Sequence, residues 1–342
     1  MIKFLKRLLF SLIIFILLVE FISFFLNKFD NTEIFKTRIF TEKTNDGRMF
    51  TLKKNFNHNQ SEIYEGEKKN WQIYTSEERI RVGTSKKINT KNDIFLFLGD
   101  SVPFGWGVDY ENSLPFYFQK LNQNLNVING AIPSYSLNQA VERFFIEFKD
   151  YKNLKYVYLQ IYDPAPIYAL LGDKWETDDN WVTLHKYIFR ENKIIDLSIP
   201  LYGELYFQKF LKKKIYRINI KKLKQIKTSQ RSEFKYLKHI DDNVNRIYNY
   251  LNARGIKLIL TPIIVPNKSF ENLDNQNKKS IILLNNTFEN FAINNEGVEF
   301  FKISDKLIFD SKNFIDKCCH LSEKGASLMA KELNKLIKLI IN

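Results

Sequence analysis

Five short apolar runs set the folding problem for this chain: Ile94 to Leu98, Asn126 to Asn129, Tyr156 to Ile161, Lys257 to Thr261 and Val298 to Ile303. They alternate with longer segments in which apolar residues recur at i, i+3 and i+4. These are Ser113 to Gln123, Leu137 to Asp150, Glu233 to Ala253, Lys278 to Asn294 and Glu323 to Leu339. The short runs suit strands buried on both faces, and the longer spacing places one apolar stripe along a helix. Arg254-Gly255 and Asn295-Glu296-Gly297 close two of the helical segments with the glycine that a left-handed cap favours. Strands alternating with helices build βαβ units, so the expected fold is α/β, a parallel sheet covered on both faces. Reactive groups in such a sheet sit on loops leaving the C-terminal ends of the strands.

The composition fits a folded body. Of 342 residues, 44% are hydrophobic and 26% charged, which excludes a disordered or collagen-like chain. The two cysteines are neighbours, Cys318 and Cys319, whereas disulfide scaffolds and zinc knuckles need separated, convergent thiols. Tight packing beside His320 is their expected use. Lys and Arg number 52 against 38 Asp and Glu, and the net charge of +14 calls for an anionic neighbour: a membrane, an acidic glycan or nucleic acid.

The N-terminus selects among these. Leu8 to Leu26 is almost wholly Leu, Ile, Phe and Val, about the length one helix needs to cross hydrocarbon, with Glu20 its one ionisable residue. Ser23 is followed by Phe24, Phe25, Leu26 and Asn27 rather than by small residues, so the run reads as a retained anchor rather than a cleaved signal. Residues 1–28 are therefore expected to be a single-pass anchor in the cytoplasmic membrane. Lys3, Lys6 and Arg7 precede it and Lys28, Lys36 and Arg38 follow, so charge alone nearly ties; the tight cluster before the helix favours a body outside the cytoplasm. Residues 29–92 read as a polar stalk and lead-in, and 93–342 as the α/β domain.

An insertion at about 165–232 interrupts that domain. It carries Trp175, Trp181 and a tract from Lys209 to Lys227 in which Phe210, Leu211, Ile215, Ile218 and Leu223 interleave with Lys and Arg. The tract suits either a helix on an anionic membrane surface or a plain solvated basic helix. No base-reading module is recognisable, so nucleic acid is not an expected partner.

The loop after the first strand reads Gly99-Asp100-Ser101-Val102-Pro103-Phe104. A hydroxyl carried on such a turn stands at the sheet edge beside backbone N–H groups able to hold an oxyanion. With the blocks that follow it in order, this loop resembles the SGNH, or GDSL, hydrolases. Gly99-Asp100-Ser101 is similar to their first block and Asn129 to Ser136 to their second. Gln160-Ile161-Tyr162-Asp163 is similar to the third, and Asp316 with His320 to the last.

The resemblance implies a three-layer, flavodoxin-like sandwich on a parallel sheet of about five strands. It also implies a serine hydrolase acting on carboxylic esters, with Ser101 as nucleophile, His320 as base and Asp316 orienting the imidazole. The oxyanion donors would be the N–H groups of Ser101 and Ala131, with Tyr162 or Asn129 as a third and Asp163 beside the substrate. No metal or organic cofactor is implied. Anchored members of the family often modify acyl groups on cell-surface glycans, so an O-acetyl or similar ester on a glycan is the expected substrate.

Three positions depart from the family pattern. Ala131 stands where it has Gly, Tyr162 where it has Asn, and three residues rather than two separate Asp316 from His320. These departures keep two alternatives open, a catalytically weakened fold that binds glycan or serves an envelope assembly, and an O-acyltransferase using the same serine.

Overall fold

The N-terminal run forms helix α1 (Ile2–Phe29), 28 residues long, with Leu8, Phe10, Leu12, Phe15 and Leu17 exposed. The computed structural model describes the chain apart from residues 1, 30–38, 45, 47, 49, 65, 85–91, 162–197, 200–202, 205–229, 274 and 342. Among the described residues no helix is long and apolar enough to cross a membrane, and several side chains of α1 lie outside that description. The chain divides into two units, Met1–Lys36 with Thr183–Lys227, and Thr37–Val182 with Thr228–Asn342. In the first, two-residue strands at Ser198–Ile199 and Gly203–Glu204 pair antiparallel. The tract Lys209 to Lys227, Trp175 and Trp181 lie outside the described residues.

The second unit is built on one eight-stranded sheet, together with a separate two-stranded antiparallel pair. In chain order its described strands and helices include β1 (Thr41–Lys43), β2 (Phe50–Leu52), β3 (Asn57–Tyr64), β4 (Glu67–Thr75), β5 (Arg81–Val82), β6 (Asp93–Gly99), α2 (Ser101–Phe104), α3 (Leu114–Leu121), β7 (Leu125–Asn129), α4 (Leu137–Arg143), β8 (Leu154–Gln160), α5 (Gln230–Asn252), β9 (Lys257–Thr261), α6 (Asn275–Asn294), β10 (Val298–Phe300) and α7 (Glu323–Ile341), with further short helices such as Asn267–Glu271 and Asp305–Phe309. The five expected strands run parallel in the order β7-β6-β8-β9-β10. Numbered among themselves this is 2-1-3-4-5, so the order reverses between β6 and β8. The loop that begins at Asp100 leaves the C-terminal end of β6 at that switch point, where sheets of this kind place their reactive groups.

Strand β6 is buried along both faces, which explains its unbroken apolar run. Successive side chains alternate between faces. Phe95 and Phe97 join one core with Leu114 and Phe118 of α3 and Met329, Leu333 and Ile337 of α7. Leu96 and Leu98 are equally buried and face the side that carries α4, α5 and α6. The layers are thus helix, sheet, helix. Gly255 and Gly297 adopt φ of 64° and 80° after α5 and α6, the left-handed caps that the sequence calls for.

The stalk expectation for residues 29–92 needs correction. Strands β5, β4 and β3 extend the sheet antiparallel beyond β7, giving eight strands rather than about five, and Trp71, Ile73 and Arg81 are buried. Other groups tie the same segment to the loop after β7 and to α4. Tyr135 Oη donates to Phe50 O at 2.5 Å and Gln139 Nε2 to Arg48 O at 2.7 Å. In its described residues between Ile39 and Thr84, the lead-in is part of the α/β body.

Candidate active site

Ser101 is the first residue of α2, and the cap of that helix is Asp100, whose Oδ1 accepts from Val102 N at 3.0 Å. With capping assigned to the aspartate, the serine hydroxyl is left for another partner. The entry into this turn depends on Gly99, which has φ of 142° and lies against the end of β8; a Cβ there would stand 1.9 Å from Gln160 O. Positive φ and overpacking each cost roughly 1–3 kcal/mol. Gly99→Ala is therefore expected to lose on the order of 3 kcal/mol or more of stability, read as a lowered urea midpoint at unchanged slope.

The partner comes from the far end of the chain. Ser101 Oγ lies 2.8 Å from His320 Nε2, and His320 Nδ1 lies 2.5 Å from Asp316 Oδ2. Asp316 uses its other oxygen, Oδ1, to accept from the N–H groups of Cys318 and Cys319 at 3.0 Å and of His320 at 3.2 Å. The loop wraps around its own carboxylate, which explains how three intervening residues fit where a helical turn would misdirect the side chain. Gly107 lets the two loops meet, since a Cβ there would be 1.9 Å from Ile315 Cδ1.

Burial pushes the Asp316 carboxyl up, but the bonds from His320 and from the Cys319 and His320 backbone outweigh it, and its pKa falls below 3.8. A depressed carboxylate contributes stability that is present above its unfolded value and lost as pH falls through the folded one. Thermal midpoints should therefore drop on acidification below about pH 4. Melts of wild type and Asp316→Asn from pH 6 to pH 2.5 check this, the variant showing the smaller decline.

Cys318 and Cys319 are joined by a disulfide between adjacent residues, with Cα atoms 3.8 Å apart. This corrects the reading of the pair as packing thiols: neighbours do bridge here, while Cys319 also packs into the core. Denatured, unreduced protein should take up no iodoacetamide, and reduced protein two equivalents per chain by mass; uptake without reduction would refute the bridge.

The remaining expected site residues fall differently. Tyr162 and Asp163 lie outside the described residues. Asn129 and Ala131 are adjacent to the nucleophile loop, but their donors are already paired. Asn129 Nδ2 donates to the carbonyls of Pro103 and Phe104 at 3.2 Å, and Ala131 N–H donates to Asn129 Oδ1 at 3.2 Å. Asn129 therefore braces the loop instead of offering a free amide. Ser101 N–H has no hydrogen-bond partner among the described residues.

Glu62 and Tyr64 of β3 were not expected at the site. Glu62 Oε2 accepts from Tyr64 Oη at 2.8 Å and from Trp106 Nε1 at 3.1 Å. Burial, then Glu62 and Asp316, push the Tyr64 phenol well above its ordinary value, so it stays neutral beside the carboxylates. No group of His, Cys, Asp and Glu suited to a metal occurs among the described residues.

An α/β layered body with a hydroxyl, an imidazole and a carboxylate in line at the switch point is the class that fold and site define. No family model and no curated protein matches the chain. Solved structures similar to it include a lipase/acylhydrolase from Enterococcus faecalis (10% identity, covering 72% of this chain and 95% of that one, TM-score 0.42). A GDSL-like lipase from Bacteroides thetaiotaomicron VPI-5482 is similar at 13% identity, covering 74% and 91%, with a TM-score of 0.41. A catalytic mutant of an acetylxylan esterase from Geobacillus stearothermophilus is similar at 12% identity, covering 72% and 94%, with a TM-score of 0.43. At these identities and scores the functional reading rests on the chain's own geometry.

Proposed function

We propose that the chain is a serine hydrolase of carboxylic esters, and the observation that carries this is the line from Ser101 Oγ through His320 to Asp316 Oδ2. Ser101 Oγ attacks the acyl carbon while His320 Nε2 takes its proton; Asp316 holds the proton on Nδ1 and stabilises the imidazolium. The same proton passes to the departing alkoxide, leaving an acyl-serine that water cleaves through the same base. Ser101 N–H is the available oxyanion donor, and Ala131 N–H joins it by giving up its 3.2 Å bond to Asn129.

The finer assignment is an O-acyl ester, such as acetyl, on a cell-surface glycan, with the body held outside the cytoplasmic membrane. Its support is the apolar run Leu8 to Leu26 within a helix of 28 residues, about 42 Å at 1.5 Å per residue. The basic tract Lys209 to Lys227 would then rest on anionic lipid. The paired donors of Asn129 and Ala131 favour one second reading, a weakened fold that binds the glycan without turning it over.

A fluorophosphonate separates the two. Incorporation at Ser101, found by peptide mass, together with hydrolysis of an activated acetyl ester supports the hydrolase. Folded protein that neither labels nor hydrolyses supports the binder. Extraction of the full chain by alkaline carbonate without detergent would remove the anchor from the proposal.

A further inference from the structure

We propose that Arg81 is the positioning residue of the nucleophile, its buried guanidinium holding the Ser101 loop in line with His320. The inference rests on the hydrolase reading. Arg81 lies on β5 directly opposite Asn129 on β7, and these two cross-strand neighbours serve the same stretch of chain. Arg81 Nη1 donates to the carbonyls of Phe104 at 2.5 Å and Gly105 at 2.6 Å, and Nη2 to those of Val108 at 2.6 Å and Gln72 at 3.3 Å. Asn129 takes Pro103 and shares Phe104. The guanidinium also stacks 4.6 Å from the Phe104 ring centroid.

Helix α2 is only four residues long, so its final carbonyls have no helical N–H to receive them. It begins at the nucleophile and ends on Arg81 and Asn129. Any slack at its C-terminal end moves Ser101 Oγ off His320, and misplacement by about 1 Å can cost 10²-fold in rate.

The choice of residue supports a functional use. Arg81 is fully buried, and no carboxylate forms an ion pair with it among the described residues. A buried, unpaired cation is an expensive way to fill space, which an apolar side chain would do at lower cost. Burial draws its pKa down to about 10, partly offset by Tyr110, Asp109 and Glu111, so it stays charged at neutral pH. Lysine begins near 10.4, is driven towards neutrality by the same burial, and has no planar fork to reach carbonyls lying in several directions.

The test uses the purified full chain of wild type, Arg81→Lys and Arg81→Met, each confirmed folded by circular dichroism. Fluorophosphonate labelling rate at Ser101 and steady-state hydrolysis of an activated acetyl ester are read together. In both variants the labelling rate and kcat should fall about 10²-fold while KM stays near wild type. A purely structural residue would lower the melting temperature and leave the labelling rate of folded molecules unchanged. Labelling at the wild-type rate in folded Arg81→Lys overturns the proposal. So does failure of Arg81→Lys to fold, since the residue would then belong to the fold as a whole. A wild-type chain that does not label removes the hydrolase reading and this inference with it, whereas a labelled wild type beside unaffected variants removes only the role of Arg81.

Discussion

Ser101→Ala is expected to lower turnover of an activated acetyl ester by on the order of 10⁶ while leaving the protein folded. Among the described residues the hydroxyl makes one hydrogen bond, to His320, so its removal costs about 1 kcal/mol of stability and all of the nucleophile. His320→Ala should be nearly as damaging, and the double variant no worse than either single one, because a nucleophile and its base act as a unit. Multiplying effects in the double variant would mean that the two residues serve separate functions. Turnover that persists in Ser101→Ala, with wild type resistant to fluorophosphonate, would sink the enzyme reading.

The parts of this site that could be read from sequence are those whose environment is written locally. Strand β6 is apolar at consecutive positions because both of its faces are covered, and Gly255 and Gly297 mark helix ends because only a left-handed residue fits there. The lead-in was opaque for the converse reason. Strand β3, Asn-His-Asn-Gln-Ser-Glu-Ile-Tyr, has no buried residue, and only its pairing with β4 makes it a strand. In β4 the sole signal is the buried alternation of Trp71, Ile73 and Thr75 at its end.

Arg81 could not have been found, since nothing beside it in sequence says that a basic residue is buried or that its partners are carbonyls of residues 104, 105 and 108. Asp100 does carry a local signal: an aspartate just before a helix start is a cap, which frees the serine after it. The need for separated thiols holds for cross-links between segments but not for a ring closed across one peptide bond, as between Cys318 and Cys319.

Asp316→Asn is the second large effect, and the direction of its amide decides it. Three backbone N–H groups, of Cys318, Cys319 and His320, converge on Oδ1. An asparagine must keep its carbonyl oxygen there, because an NH₂ group would face three donors. Its NH₂ is then forced to the place of Oδ2, 2.5 Å from His320 Nδ1. Facing a donor, Nδ1 has to accept, so the ring proton moves to Nε2 and points at Ser101 Oγ, 2.8 Å away. The imidazole can no longer take the serine proton.

A loss of about 10⁴ in kcat is expected, as for a triad left in the wrong tautomer. KM should change little, since the carboxylate faces the imidazole rather than the substrate. Asp310 is not placed to compensate: its carboxylate is held by Lys324 at 2.5 Å and by Lys312 N at 3.0 Å. Steady-state kinetics at pH 7 and pH 9 check the idea, because a wrong tautomer is not corrected by removing protons from solution. An Asn variant within tenfold of wild type would show that the imidazole is oriented without Asp316.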